Sequence, residues 1–288
     1  MDEKVLVTGA SGQLGALVVE ALLARLPAAQ VVALVRREEA AEALRARGVE
    51  VRLASYDDRD ALEAAFAGIG RLLLISGTDF DRRVAQHANV IEAARAAGVG
   101  FVAYTSVLRA ETSRLMVAED HRQTEAALVA SGLRYALLRN GWYTENYTAS
   151  APMAVAHGAL IGAAGSARIA SAARADYAEA AAVVLSAQQP ESGRVHELAG
   201  SESFGLVGLA AVISAVSGKE VPYVDMSEAA YKAALVEAGL PDPIADLLAS
   251  SDAAARDHGD LEGSGAELEA LIGRVSTPLR ASVEAALA

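Results

Sequence analysis

The chain has 288 residues, enough for one large α/β domain or for one domain with a smaller appended lobe. Hydrophobic residues make up 53% of it, charged residues 22%, and the formal net charge is −12. Nucleic acids and anionic membrane surfaces bind basic faces, so this charge excludes both as expected partners. The absence of cysteine excludes disulfides, thiolate catalysis and cysteine-ligated metal.

Targeting and metal signals are also absent from the sequence. No apolar run approaches the ~20 residues needed to span a bilayer, and the acidic N-terminus does not resemble a signal peptide. No group of His, Asp and Glu residues has metal-ligand spacing, so we expect no metal. These patterns predict a cytoplasmic protein with a small-molecule partner, and we consider a homodimer as its assembly.

In the first half, short apolar runs alternate with alanine-rich helical patterns. The predicted strands are Val5–Val7, Val31–Val35, Val49–Leu53, Arg71–Ile75, Phe101–Thr105 and Tyr135–Arg139. The predicted helices are Gln13–Arg25, Glu38–Arg47, Asp58–Ala67, Arg82–Ala97 and Val117–Ala130. Strands that are apolar throughout are buried on both faces, as in parallel sheets. The alternation therefore predicts an α/β fold with a Rossmann-type doubly wound parallel sheet, whose ligands bind at the carboxyl ends of the strands.

The alternation changes after about residue 141. Further predicted elements are helices at Asp176–Ala187 and Leu206–Val216, strands at Val195–Leu198 and Val221–Val224, and a helical tail from Ser227 to Ala288. We expect a nucleotide-binding domain over residues 1–141 and a smaller C-terminal α+β lobe over 142–288 that covers the substrate. Segments such as 168–199 are expected to return to the first domain.

A glycine-rich turn follows the first predicted strand and opens the first helix. Its residues are Thr8, Gly9, Ala10, Ser11, Gly12, Gln13, Leu14 and Gly15. The spacing is G-x-x-G-x-x-G, which differs from the G-x-G-x-x-G dehydrogenase pattern. Glycine lets the backbone approach a pyrophosphate, and the helix N-terminus supplies free N–H groups. The turn predicts dinucleotide binding; the alternative is an ordinary strand-to-helix turn.

The end of the second strand bears on which nucleotide is bound. An acidic residue there would hold the 2′-hydroxyl of NAD, whereas an arginine accepts the 2′-phosphate of NADP. This chain has Arg36 followed by Arg37, with no carboxylate before Glu38. The planar guanidinium fork suits phosphate, so we favour NADPH over NADH. The alternative is a solvated surface pair of arginines.

Carbonyl reductases with this fold commonly protonate the carbonyl oxygen with a Tyr-x-x-x-Lys pair. This chain lacks that pair. The only lysines are Lys4, Lys219 and Lys232, and none follows a tyrosine at that spacing. His121 and Glu125 have the spacing and could form a proton relay, although an exposed i,i+4 pair is the favoured interpretation. A site without a strong acid indicates an activated acceptor such as a quinone, or binding without turnover.

Polar and aromatic residues follow the sixth strand. Asn140 and Tyr143 are neutral hydrogen-bond donors that suit a quinone oxygen, and we predict them as the catalytic pair. Trp142 and Tyr143 could stack on a flat ring, with core packing as the alternative for Trp142.

Several segments resemble a known family. They are Leu72–Ser76, Ala103–Ser106, Leu137–Tyr147, Ile161–Gly165, Ile169–Tyr177, Glu197–Gly200, Gly239–Asp242 and Leu271–Arg274. They are similar to the type 2 NADPH:quinone oxidoreductases, in the NmrA-like, atypical branch of the short-chain dehydrogenases. The likeness runs essentially from end to end, and Arg139–Asn146 is its most specific part.

The resemblance implies direct hydride transfer from NADPH to a quinone, without flavin. It implies that the glycine turn and Arg36 hold the phosphates, and that Ser76, Gly77 and Thr78 lie along the ribose. The nicotinamide would be lined by Asn140, Gly141, Trp142, Tyr143, Thr144 and Glu145. We further assign Tyr56, Tyr104, Thr105 and Arg174 to cofactor binding; the alternative for Arg174 is a pair with the carboxylate of Asp176 at a helix start. The chain departs from the family at Gly77, where a serine is common, and at Ser55, where an aspartate is common near the adenine.

Two other functions remain open at this point. An NmrA-like redox sensor would bind NADP(H) and regulate a partner without turnover, and the missing Tyr-x-x-x-Lys pair suits it too. A sugar-nucleotide epimerase or dehydratase is weakened, because those enzymes normally retain the pair.

Overall fold

The computed structural model describes residues 3–288, which form two compact units. The first unit contains residues 3–110, 119–140 and 174–197, and the second contains residues 111–118, 141–173 and 198–288. Among the helices of residues 3–288, none combines the length and the hydropathy that crossing a bilayer requires.

The first unit is built on a seven-stranded sheet. Its strands are β1 Lys4–Val7, β2 Val31–Val35, β3 Glu50–Leu53, β4 Ile69–Leu74, β5 Phe101–Val107, β6 Tyr135–Asn140 and β8 Arg194–Leu198. Their order is β3-β2-β1-β4-β5-β6-β8, and every neighbouring pair from β3 to β6 is parallel. This order reverses between β1 and β4, where ligands bind in doubly wound sheets. The predicted Rossmann-type fold is confirmed.

The core explains why these apolar runs form central strands. Every residue of β2 and β5 is buried, as expected for strands covered on both faces. In register, Leu6 of β1 stands beside Val32 on one side and Leu72 on the other. These side chains pack with Phe66 and the ring of Tyr104 in one apolar cluster. The glycine turn and the loop after β4 therefore leave rigid, neighbouring strands.

Helices flank the sheet of the first unit. They are α1 Gln13–Leu23, α2 Glu42–Arg45, α3 Arg59–Phe66, α4 Arg83–Ala96, α5 Ala118–Ala130 and α8 Arg174–Ser186, with 3₁₀ turns at Ala28–Gln30 and Glu38–Ala40. Helix α1 contacts α8, and α3 contacts α4. The carboxylate of Asp58 accepts a hydrogen bond from the Ala61 N–H and caps α3.

The predicted helix Glu38–Arg47 is wrong in extent. The structure has a 3₁₀ turn at Glu38–Ala40 followed by the single α-helical turn α2. Of this stretch only Ala41 is buried, so no apolar stripe packs it against the sheet. Short helices in water are marginal without such packing.

The second unit is mainly helical. Its elements are α6 Glu145–Thr148, α7 Ala151–His157, β7 Leu160–Gly162, α9 Leu206–Ser217, β9 Tyr223–Asp225, α10 Glu228–Glu237, α11 Asp242–His258, α12 Ala266–Ile272 and α13 Leu279–Leu287. Strands β7 and β9 pair in parallel, and α10 contacts α11. The strand predicted at Val221–Val224 begins two residues later, since Pro222 has no N–H to donate to a ladder.

Candidate active site

The glycine turn of the first unit is closely built between β1 and α1. The Gly12 N–H donates to the Gly9 carbonyl at 2.9 Å, and Gly9 has a φ of 58°, which glycine adopts without strain. A Cβ on Gly15 would lie 2.2 Å from the Gly9 carbonyl oxygen. Only glycine therefore fits at Gly15, and the start of α1 approaches the end of β1.

The N-terminus of α1 fits a phosphate group. Gly12 caps this 11-residue helix, and no side chain supplies a capping hydrogen bond. The first amide N–H groups of a helix have no partner within it, and the helix dipole adds partial positive charge. Such an end binds pyrophosphate without further side chains, so the turn suits a dinucleotide.

Arg36 follows β2 directly and is exposed. Its charge acts on Tyr56, where it opposes the effect of burial; burial dominates and raises the pKa of this phenol. The Tyr56 hydroxyl donates to the Ile75 carbonyl at 2.9 Å and is also hydrogen-bonded to Thr8. Tyr56 thus ties the ends of β1 and β4 together close to an exposed guanidinium.

The loop after β4 is held through its backbone. The Ser76 N–H donates to Thr105 Oγ1 at 2.9 Å, and the Gly77 N–H donates to His87 Nε2 at 2.9 Å. Arg83 Nε donates to the Gly77 carbonyl at 2.7 Å. Within residues 3–288 these contacts leave the hydroxyls of Ser76 and Thr78 without a hydrogen-bond partner, and Thr78 is exposed.

Behind this loop lies a buried polar layer that includes two predicted cofactor residues. Tyr104 is fully buried, and its hydroxyl lies 2.7 Å from His121 Nδ1. Thr105 is also buried and acts on the loop through the Ser76 N–H. Burial, followed by the charges of Arg83 and His87, lowers the pKa of His121 to about 3, so the imidazole is neutral near pH 7.

His121 and Glu125 do not form the exposed pair that we favoured from the sequence. Both side chains are buried, so that expectation is wrong. Glu125 instead receives two hydrogen bonds from Arg139, at 2.9 and 2.6 Å, and a third from the hydroxyl of Ser106 at 2.5 Å. The spacing indicates one helix face, but it does not show that this face lies on the sheet.

Arg139 links this network to the end of β6. Its second partner is Glu197, at 2.9 Å, and the other oxygen of Glu197 accepts from the Arg109 N–H at 2.8 Å. Arg109 is the one non-glycine residue of 3–288 with a positive φ, at 51°. The buried ion pair therefore fixes the strand that carries Asn140.

Asn140 is the last residue of β6 and is buried. The Leu108 N–H donates to its backbone carbonyl at 2.9 Å. Its side-chain Oδ1 is the one buried side-chain polar atom in residues 3–288 without a hydrogen-bond partner. An unpaired buried acceptor costs about 1–3 kcal/mol, so this atom suits an incoming N–H or O–H donor.

The second unit contains the rest of the predicted nicotinamide segment. Thr144 N–H donates to the Ala172 carbonyl at 2.9 Å, and the Ala172 N–H donates to the Trp142 carbonyl at 3.2 Å. Thr144 Oγ1 lies 2.9 Å from Ser171 Oγ. Trp142 is buried, Tyr143 is half-buried, and Glu145 begins α6. These bonds fix the backbone of the segment.

Of the other predicted residues, Arg174 is the first residue of α8 and belongs to the first unit. Sequence reasoning missed Arg83 and the loop-holding role of His87. Their i,i+4 spacing on one helix was the available signal, because it places both side chains on the same face.

Comparison with known proteins gives close, nearly full-length relatives. Quinone oxidoreductase 2 of Escherichia coli (strain K12) is 52% identical over 279 residues, which cover 97% of each chain. A solved structure of the NADPH-dependent quinone oxidoreductase from Escherichia coli, complexed with NADPH, covers 97% of this chain and 98% of its own, with a TM-score of 0.93. The Citrobacter sp. triphenylmethane reductase complexed with NADP(H) is 38% identical, covers 98% of this chain and 100% of its own, and has the same TM-score. The pattern of the NmrA-like family matches residues 1–284, and the chain belongs to this family.

Proposed function

We propose that this chain is an NADPH-dependent quinone oxidoreductase that passes hydride directly to a quinone without flavin. The observation that carries the proposal is the 52% identity to Escherichia coli quinone oxidoreductase 2 over 97% of both chains. The glycine turn, the uncapped start of α1 and the exposed Arg36 all fit a phosphorylated dinucleotide.

The cofactor residues follow from this proposal. The turn from Thr8 to Gly15 would bind the pyrophosphate, and the guanidinium of Arg36 would bind the 2′-phosphate. Ser76 and Thr78 have hydroxyls available for a ribose. NADPH, when bound, supplies hydride from its nicotinamide ring. The assignment of residues 1–141 to the nucleotide and of 142–288 to the substrate stays a prediction, as do the cytoplasmic location and the homodimer.

The catalytic residues would orient the acceptor rather than act as strong acids. Asn140 would donate to a quinone oxygen through its amide N–H, whereas its buried Oδ1, which lacks a partner, can only accept and suits an N–H donor such as the carboxamide of the nicotinamide. Tyr143 is a neutral phenol on the fixed segment that precedes α6. Reduced quinones are stable as phenolates, so neutral hydrogen bonds and solvent suffice for them. The same residues give a simple ketone no proton donor of adequate strength.

A cofactor-oxidation assay with a panel of quinones tests the proposal. We expect NADPH oxidation with benzoquinone-type acceptors and none with simple ketones. NADH run side by side measures the cofactor preference. Tight NADPH binding with no turnover on any quinone would contradict the enzyme and favour the redox-sensor alternative.

Replacement of Arg36 tests the NADPH preference directly. Arg36→Ala should weaken NADPH binding by roughly 10- to 100-fold, the size of a lost charged hydrogen bond, with little change for NADH. Arg37→Ala is the matched control, since Arg37 is the exposed neighbour. Equal losses for both nucleotides would remove Arg36 from the 2′-phosphate site.

A second candidate acceptor is a cationic triphenylmethane dye. Such a cation takes up hydride and becomes neutral without any proton. The net charge of −12 favours cationic ligands, and the Citrobacter relative is named for these dyes. NADPH-dependent bleaching of a triphenylmethane dye, measured by its visible absorbance, tests this candidate, and unchanged absorbance would reject it.

A further inference from the structure

Two side chains of helix α4 hold the backbone of Gly77, one at its N–H and the other at its carbonyl. Its N–H donates to His87 Nε2 at 2.9 Å, and its carbonyl accepts from Arg83 Nε at 2.7 Å. Arg83 and His87 lie four residues apart and are both buried. The loop after β4 therefore has its central peptide fixed by side chains, while the Ser76 and Thr78 hydroxyls stay available.

The hydrogen bonds around His87 fix its tautomer. A backbone N–H only donates, so His87 Nε2 carries no proton and accepts from Gly77. At the other end, the Thr124 hydroxyl donates to the Asp120 carbonyl at 2.8 Å, because a carbonyl only accepts. Thr124 Oγ1 then accepts from His87 Nδ1 at 2.9 Å. His87 is consequently the neutral Nδ1–H form.

The surroundings of His87 keep it neutral. The ring is fully buried, and burial followed by the charge of Arg83 lowers its pKa to about 3. The groups that face it from other elements are the ring of Tyr104 on β5, the ring of Tyr56, and Thr124 on α5. A protonated ring would present an N–H to the Gly77 N–H, so the neutral form is the one that supports the loop.

We propose that His87 is a positioning residue for NADPH, which holds the Ser76–Thr78 loop in its binding conformation through the Gly77 N–H. This inference rests on the proposed function, because it takes this loop to lie along the ribose. His87 itself touches no reacting atom. Its loss should therefore raise the KM for NADPH and leave kcat nearly unchanged.

Two amide substitutions separate this role from simple packing. A glutamine can place its amide oxygen where His87 Nε2 stands and so keeps an acceptor for Gly77. An asparagine is shorter, reaches only the position of Nδ1, and leaves the Gly77 N–H without a partner. His87→Asn should raise the Kd and KM for NADPH about tenfold, the effect of one lost hydrogen bond. His87→Gln should stay within about threefold of the wild type.

The experiment measures NADPH affinity by fluorescence titration, quinone reduction at saturating NADPH, and the thermal midpoint of each variant. His157→Asn is the control for loss of a histidine, because His157 is exposed at the end of α7. The proposal would be overturned if the Asn and Gln variants had the same affinity for NADPH, whether that affinity equals the wild-type value or is weaker. A lowered thermal midpoint without a change in affinity would overturn it as well.

A measurement on the wild-type protein covers the case in which the variants do not fold. Long-range ¹H–¹⁵N spectra distinguish the two histidine tautomers. We expect the Nδ1–H form for His87, and shifts of its Nε2 and of the Gly77 amide when NADPH is added. The other tautomer, or unmoved signals on NADPH binding, would overturn the proposal. A protein that binds NADPH but reduces no quinone would contradict the proposed function and leave the role of His87 intact.

Discussion

In the first unit the buried carboxylate of Glu125 meets the guanidinium of Arg139, whereas in the second unit the buried carboxylate of Asp252 meets a phenol and a backbone amide. Asp252 accepts from the Tyr147 hydroxyl and from the Ala163 N–H, each at 2.9 Å. The guanidinium of Arg256 bonds to the carboxylate of Asp257 and to the Ala163 carbonyl. Its charge therefore acts on Asp252 only from a distance.

The buried titratable groups of the two units also respond differently to pH. Burial raises the pKa of Asp252 to about 6, so this carboxylate changes charge close to neutral pH. In the first unit the pKa values of His87 and His121 are lowered to about 3. Near pH 7 the histidines of the polar layer behind the predicted nucleotide loops therefore stay neutral and keep their hydrogen bonds. Asp252, in contrast, changes from a neutral carboxyl to a carboxylate as the pH rises through about 6.

The largest expected effect comes from breaking the paired charge. Glu125→Ala removes the bidentate partner of the buried Arg139 guanidinium, which keeps its bond to Glu197, and it removes the acceptor of Ser106. Loss of one member of a buried pair costs about 3–5 kcal/mol, so the free energy of unfolding should fall by that amount in urea titrations.

Glu119→Ala on the same helix is the matched control. The Glu119 side chain is 60% exposed and pairs with Arg122 at the surface, so its loss should lower the free energy of unfolding far less than the loss of Glu125. Similar costs for the two substitutions would show that the Glu125–Arg139 pair contributes no more than a surface pair.

A slightly smaller effect is expected from removing the unpaired carboxylate. The pKa of Asp252 is about 6 in the folded chain, against an ordinary value of 3.8. As the pH rises from about 4 to 7, the unfolded chain releases this proton first, so the folded state loses roughly 3 kcal/mol of stability. Relative to Asp252→Asn, the wild type should lose this amount of unfolding free energy over that interval.

Asp246→Asn provides the comparison on α11. The Asp246 side chain is 44% exposed and pairs with Lys232, so its substitution removes a surface carboxylate from the same helix and leaves the buried Asp252 cluster in place. Parallel stability curves for the wild type and Asp252→Asn would reject the neutral-range titration of Asp252.

The smallest effect is expected from removing a hydrogen-bond donor to Asp252 in the second unit. Tyr147→Phe removes a donor to Asp252, which should cost about 1–2 kcal/mol at pH 8 and less at pH 5, where the carboxyl is protonated. Because this bond lowers the pKa of Asp252, its loss should also move the pH midpoint upward. Tyr231→Phe is the control, since the Tyr231 hydroxyl makes no hydrogen bond within residues 3–288. Equal midpoints in the two variants would contradict the role of Tyr147.

Much of the fold could be predicted from local pattern. The predicted bounds of β2 are those of the structure, and the helix predicted at Arg82–Ala97 is α4 with one residue fewer at each end. These segments combine a strong apolar pattern with a clear end signal. The predicted helix at Glu38–Arg47 failed because its charged residues gave high helix propensity without a face to bury.

In the candidate site, too, the features set by local sequence could be predicted and those set by packing could not. The tight turn at Gly9 and Gly15 and the place of Arg36 after β2 could be predicted, because they depend on residue type and on position after a strand, and their cofactor roles stay predictions. The roles of Arg83, His87 and Glu125 could not be predicted, because each depends on burial and on a partner in another element, the loop after β4 for Arg83 and His87 and β6 for Glu125. Glu125 in particular had the spacing of an exposed helix pair until its burial was known.

Four features follow from the amino-acid sequence without a structure: the α/β alternation, the glycine turn, the arginine after β2 and the absence of a Tyr-x-x-x-Lys pair. These are local facts, fixed by the spacing and chemistry of neighbouring residues. The tertiary structure was needed to show that Glu125 pairs with Arg139, that the buried Asp252 meets a phenol and a backbone amide, and that His87 supports Gly77. Burial and long-range pairing set these charges and tautomers, and both arise only when separate segments pack together.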